Sequence, residues 1–253
     1  MMTYDHGPSL APDTSPVVPG MATRAIPTPS TVAPIAAFDV DGTLTWADSF
    51  SLFLRFVAGR WGFLLKMARL VPDFVAYSFG MMPRAGLKEK IIHAFLGGMK
   101  AAHYHHLCAD FARFIYPLIA RPDALARLRA HQGIHDQVVL VSASLQDYLA
   151  CWAADLGVPA VLATRVEVVA GLLTGRLDGP NCWGPQKLVA IQGAYGQTFL
   201  AAAYGDTRGD KEMLEGAQNQ GYRIFQERPR NYQSQILSLY LGNQIERWRA
   251  NQG

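Results

Sequence analysis

Short apolar runs recur along this chain, each ending at a polar or turn-forming residue. The first is Ile35-Ala36-Ala37-Phe38, which stops at Asp39. Similar runs follow at Val138–Val141, Ala160–Ala163, Phe199–Tyr204 and Tyr222–Phe225. Runs of this length with such bounds predict buried strands. Helix-period segments lie between them, at 122–131, 145–156, 186–195 and 208–219. Strands alternating with helices predict a parallel sheet covered on both faces, an α/β fold. Gly171 and Gly175 among apolar residues predict a β-hairpin over 166–177.

Two regions depart from this alternation. Residues 1–33 hold Pro8, Pro12, Pro16, Pro19, Pro27 and Pro29 among Ser, Thr and Ala. Such a segment buries too little apolar surface to offset its ordering entropy, which predicts a flexible tail. Residues 48–117 show helical patterning, far more than the dozen or so residues a crossover needs. They are expected to form a small helical cap inserted into a core made of 34–47 and 118–230. Residues 231–253 are expected to form a C-terminal helix, with Ile236, Leu237, Leu241 and Trp248 on its packing face.

Half of the chain is hydrophobic and 17% is charged, below the usual quarter or so. That excludes a disordered protein as a whole. The net charge of +3 is too small to imply nucleic acid. Cys108, Cys151 and Cys182 are an odd number at irregular spacing, neither a disulfide framework nor a zinc pattern. No secretory signal and no long apolar span is visible, so a cytoplasmic protein is expected.

Candidate chemistry gathers at strand ends. Asp39-Val40-Asp41-Gly42-Thr43 follows the first strand directly. Two carboxylates two residues apart at the mouth of a buried strand call for a compensating cation. Gly205-Asp206-Thr207-Arg208-Gly209-Asp210 places another acidic pair, four apart, after the fourth run. Ser142 ends the second strand, and Lys187 opens a helix in Gly184-Pro185-Gln186-Lys187. In isolation Asp206 and Ser142 read as helix N-caps, and Lys187 as a solvated lysine. In an open parallel sheet, however, strand C-terminal ends collect at one edge, where ligands bind.

With these motifs in order, the chain resembles the haloacid dehalogenase superfamily, in its phosphoserine-phosphatase-like branch, subfamily IB. The resemblance spans about 35–230. It implies a Rossmann-like core, an inserted helical cap, bound Mg²⁺ and a small phosphorylated substrate. It also implies roles. Asp39 is the nucleophile that becomes an aspartyl phosphate, and Asp41 the acid and base. Ser142 and Lys187 hold phosphoryl oxygens. The metal set is Asp39, Asp206 and Asp41, the last through its main-chain carbonyl, with Asp210 ligating through water or orienting Asp206. Asp41 favours phosphoryl transfer, since dehalogenases lack that second aspartate.

Three departures from phosphoserine phosphatases stand out: Gly42 in place of Ser, Ala143-Ser144 in place of Gly-Gly, and Asp48 in place of a substrate-contacting Glu. Asp48 is a candidate substrate contact, with capping of a cap helix as the alternative. Residues 50–82 are the most apolar part of the cap. Helical projection puts Arg55, Lys66, Arg69 and Asp73 in one stripe, with breaks expected at Gly59 and Gly62. This pattern suits a buried helix pair, or a peripheral membrane surface and a lipid substrate. The branch is similar to bacterial phosphatidylglycerophosphate phosphatases, whose corresponding segment is apolar. A phosphotransferase using the same intermediate is a further alternative. His103, Tyr104, His105 and His106 read as a solvated helix, and Met81 with Met82 as apolar packing.

Overall fold

In the computed structural model, residues 33–196 and 199–228 are described. The tail expected over 1–33, save for Ala33, and the helix expected over 231–253 lie outside them.

Five parallel strands form the sheet: β1 (Ile35–Phe38), β2 (Gln137–Leu145), β3 (Ala160–Thr164), β6 (Leu200–Gly205) and β7 (Ala217–Tyr222). Their spatial order is β3-β2-β1-β6-β7, so β1 is central. Alternation along each strand divides the core in two. Ala36, Phe38, Val138 and Leu140 face one apolar cluster. Ile35, Ala37, Val139 and Val141 face the other, which also holds Ile191 and Met213. Both faces of the central strands are therefore buried, which is why these strands read as continuous apolar runs.

Between β1 and β2 the chain is helical throughout: α1 (Ser49–Arg69), α2 (Val71–Ser78), α3 (Arg84–Leu96), α4 (Ala101–Ile119) and α5 (Pro122–Gly133). The chain leaves and returns at one place. Trp46 N donates to Ile119 O at 2.9 Å, and Arg121 N to Leu44 O at 2.8 Å. After β2 come α6 (Gln146–Asp155) and β3, then the antiparallel hairpin β4 (Val166–Val169) and β5 (Leu172–Leu177). Then follow α7 (Pro185–Tyr195), β6, a 3₁₀ turn at Arg208–Asp210, α8 (Lys211–Glu215) and β7. An aromatic cluster joins α1 and α4 to α6. Phe53 meets Phe111 edge-on at 5.2 Å, and Tyr116 stacks on Trp152 at 4.1 Å.

Several expectations need correction. The fifth strand is not Tyr222–Phe225 but Ala217–Tyr222, and the helix expected to run to 219 ends at Glu215. β7 is an edge strand, and Gln218, Asn219 and Gln220 are exposed. An edge strand needs no continuous apolar run, so the search for such runs passes over it. β2 continues past Ser142 to Leu145, with an irregularity between those residues. Ser142 therefore does not cap α6.

The stripe of Arg55, Lys66, Arg69 and Asp73 does not exist as one face. Gly59 (φ 69°, ψ 173°) kinks α1 and breaks the helical register, whereas Gly62 continues the helix. Arg55 lies before the kink, over the Phe63 ring at 5.7 Å. Lys66 turns inward, its ammonium donating to Ala94 O. Met81 is 72% exposed rather than packed, while Met82 packs against the core. Among the described residues, no helix is long and apolar enough to cross a membrane.

Candidate active site

The C-terminal ends of β1, β2 and β6 deliver the site. Asp39 follows β1 directly, its N–H donating to Tyr204 O of β6 at 2.9 Å. Its carboxylate is buried. Oδ1 accepts from Lys187 Nζ at 2.5 Å and Oδ2 from Thr43 Oγ1 at 3.3 Å. Lys187, in the first turn of α7, is 2% exposed, so it is not a solvated lysine. It also donates to Asp210 Oδ1 at 2.6 Å and Val141 O at 2.9 Å. Burial opposes its charge, but Asp39 and Asp210 outweigh burial and hold the ammonium above its ordinary pKa. Burial pushes Asp39 up to about 7, against the pull of Lys187.

Asp210 is fully buried. Its Oδ2 accepts from Thr207 N and Thr207 Oγ1, both at 2.9 Å, and from Asp206 N at 3.2 Å. Burial works to raise its pKa, but Lys187 and these donors hold it below the ordinary value. Asp206 stands opposite. Burial, then Asp210, raise its pKa, and its buried Oδ1 has no hydrogen-bond partner. Gly42 (φ +92°) makes room for it, since a Cβ there would lie 2.1 Å from Asp206 Oδ2. A single residue type satisfies both demands.

Carboxylate oxygens of Asp39, Asp206 and Asp210 lie within 4.8 Å of one another. Three acids, an orphaned buried oxygen and hard oxygen donors fit a divalent cation such as Mg²⁺. The side chain of Asp41 is not in this group, so a contribution from it would come through the main chain.

Asp41 instead faces the helical region. Oδ1 accepts from Ser49 N at 2.8 Å, and Oδ2 accepts from Ser144 Oγ. Burial, then the Asp48 charge, push its pKa up to about 6, while the two serines hold it down. Ser142 is buried, with Oγ accepting from Ser144 N at 3.0 Å. Asp48 is exposed and caps α1, accepting from Phe50 N at 3.1 Å and Ser51 Oγ at 2.5 Å. It also lines a cavity of about 270 Å³ with Ser51, Leu52, Arg55 and Phe63.

Lys88 has no counterpart in the sequence motifs. From α3 it donates to Ala143 O, beside Ser142, and to Asn181 Oδ1 at 3.1 Å. Burial lowers its pKa to about 8, with Asp41 opposing. The signal was present: Lys88 shares a helical face with Ile91, Ile92 and Phe95, all buried. Ser144 was legible too, because residues 142 and 144 of a strand share a face. Cys182 is buried, its thiol donating to Leu162 O at 3.4 Å, and is a loop thiol rather than part of the acidic cluster. His103, His105 and His106 are exposed, and His105 lies 3.6 Å from Asp147.

Comparison with known proteins agrees with this geometry. Residues 36–215 match the haloacid dehalogenase-like hydrolase family. The chain is 39% identical over 198 residues to Protein CicA of Caulobacter vibrioides, covering 77% of this chain and 88% of that protein. A solved structure of a protein of unknown function from Bordetella pertussis Tohama I is 26% identical with a TM-score of 0.63, over 73% of this chain and 87% of that one. A phosphoserine phosphatase solved as a phospho-aspartyl intermediate analogue shares the fold at 19% identity and a TM-score of 0.50, over 73% and 83%. A parallel sheet with its acidic cluster at the strand ends, and a family match over most of the chain, lead to one conclusion: the protein belongs to the haloacid dehalogenase-like hydrolases, with a phosphoserine-phosphatase-like fold.

Proposed function

We propose that the protein is a Mg²⁺-dependent phosphomonoesterase that works through an aspartyl phosphate on Asp39. One observation carries this: Lys187 bridges Asp39 and Asp210 while Asp206 Oδ1 has no protein partner. The cluster has acidic capacity left for a divalent cation and a cation already beside the nucleophile. Residues 48–117 would serve as the cap over this site.

In the first step a carboxylate oxygen of Asp39 attacks phosphorus, and the bond to the leaving oxygen breaks. Asp41 gives its proton to that oxygen. In the second step Asp41, now a carboxylate, takes a proton from water. The water oxygen attacks phosphorus, the acyl-phosphate bond breaks, and inorganic phosphate leaves with Asp39 restored. A group near pH 6 suits both halves, since it must donate and then accept near neutrality. Its separation from the Lys187 cluster lets the two acids titrate for different tasks. Lys187 neutralises charge on the phosphoryl oxygens, and Ser142 Oγ offers a hydrogen bond at the same edge. Mg²⁺, held by Asp39, Asp206 and Asp210, supplies further charge stabilisation to the transferring group.

The leaving group would occupy the region around Asp41, Asp48 and Lys88. Gly42, Ala143-Ser144 and the capping role of Asp48 all weigh against phosphoserine itself. A phosphatidylglycerophosphate-type lipid substrate and transfer to an alcohol are the competing readings of the same chemistry. Hydrolysis of p-nitrophenyl phosphate tests the main one. Turnover with Mg²⁺, abolished by EDTA and restored by Mg²⁺, is expected. Undiminished turnover in EDTA would contradict it. Added acceptor alcohols, and a panel of phosphoserine, sugar phosphates and phosphatidylglycerophosphate, separate the alternatives.

A further inference from the structure

The segment after the Gly59 kink carries an apolar surface that the other described residues leave uncovered. Trp61 is 71% exposed, Phe79 77% and Met81 72%. Leu64, Leu65, Val71 and Val75 are exposed beside them. Single exposed apolar residues are ordinary, but seven within 61–81, five on α1 and α2 and two just after α2, are not.

Fully exposed charge along this segment has one sign. In residues 60–84 the exposed charged side chains are Arg60, Arg69 and Arg84, and the one acid, Asp73, is half-buried. At about 3.6 residues per turn, Trp61, Leu64, Leu65 and Ala68 form the middle of a stripe. Arg60 and Arg69 lie on its two edges. Arg60 also reaches over the Trp61 ring at 5.4 Å. An apolar stripe with an aromatic residue at its centre and arginines along both edges fits a bilayer interface. The rings and aliphatic groups enter below the headgroups while the guanidinium groups remain among the phosphates.

We propose that the exposed face of residues 60–81 is a docking surface for an anionic lipid membrane. The surface is narrower than the apolar segment 50–82. Residues 52–54, 56 and 59 are buried in the protein and unavailable. A second copy of this chain is a poorer occupant. A two-fold contact brings the same patch against itself, and the arginines would meet arginines with no exposed acid to receive them. The segment 229–253 is also a poor complement, with Arg230, Arg247 and Arg249 against Glu246 alone.

Co-sedimentation of the full chain with vesicles tests this. Two compositions are compared: phosphatidylcholine alone, and phosphatidylcholine with about one-third phosphatidylglycerol. Binding to the anionic vesicles, weakened by salt and weak on phosphatidylcholine alone, is expected. Arg60→Gln with Arg69→Gln should lower partitioning about 30-fold at low salt. Trp61→Ser with Phe79→Ser should abolish it. Both variants should hydrolyse p-nitrophenyl phosphate in lipid-free buffer as the parent does. The proposal is overturned if the parent stays in the supernatant, or if neither variant loses binding. It is equally overturned if the parent is a dimer that Trp61→Ser with Phe79→Ser dissociates and no vesicles bind. Vesicle binding and lipid-free turnover are separate readouts, so failure of the phosphatase reading would leave this surface standing, and the reverse.

Discussion

At the scale of single residues, the site separates two carboxylates that are neighbours in sequence. Asp39 is buried against an ammonium, whereas Asp41 is held by Ser49 and Ser144 and is pushed up to about 6. That upward shift has a stability consequence with a definite sign. A carboxyl whose folded pKa lies above its ordinary value of 3.8 favours folding only while protonated. Its contribution is complete below about pH 4 and is lost as pH rises through about 6. Asn at position 41 can keep both hydrogen bonds without carrying charge. Asp41→Asn in Mg²⁺-free buffer should match the parent near pH 4 and exceed it by about 3 kcal/mol at pH 8. Turnover should fall by about 10²–10⁴-fold. Denaturant titrations at the two pH values check the first part, and a variant no more stable at pH 8 would contradict it. Residues in short local motifs were legible: Asp39, Asp41, Lys187, Asp206 and Asp210 stand just after a strand or at a helix start, and Ser142 lies inside β2 near its end. Ser49 was not legible, and the buried helical face that carries Lys88 did not say which site it reaches. They reach the site because α1 and α3 fold back over it, and no motif around β1 or β2 encodes that approach.

Among the elements, the sheet was legible where burial is two-sided and obscure where it is not. β1, β2, β3 and β6 read as apolar runs because residues on both of their faces are enclosed. β7, at the edge, is built from Ala217-Gln218-Asn219-Gln220-Gly221-Tyr222, and its pairing with β6 defines it rather than its composition. Helix α1 shows the opposite case. Its sequence implied a break at both glycines, but only Gly59 takes it, at φ 69° and ψ 173°, a region that essentially only glycine occupies. The kink separates the buried first half of α1 from the exposed second half. Gly59→Ala should therefore destabilise the protein by about 1–3 kcal/mol, measured by urea unfolding. A neutral substitution would mean that the helix can straighten without strain.

Across the whole molecule, an apolar composition is divided between two uses. Much of it fills the two-sided sheet and the aromatic cluster that ties α1 and α4 to α6. The remainder stands on the surface at 60–81, where the arginines give it a direction. Strand and helix alternation predicted the parallel sheet covered on both faces, with the edge strand β7 misplaced. The chemistry needed the site as a whole, because Asp206, Lys187 and Ser142 each had an ordinary structural explanation until the sheet edge brought them together. The proposed chemistry depends on a covalent bond to one residue. Rapid acid quenching during turnover of a phosphomonoester, followed by peptide mass spectrometry, looks for that bond directly. A phosphoryl group on Asp39, absent in Asp39→Asn, is the predicted result. Full turnover by Asp39→Asn, or a phosphoryl group on another residue, would contradict it.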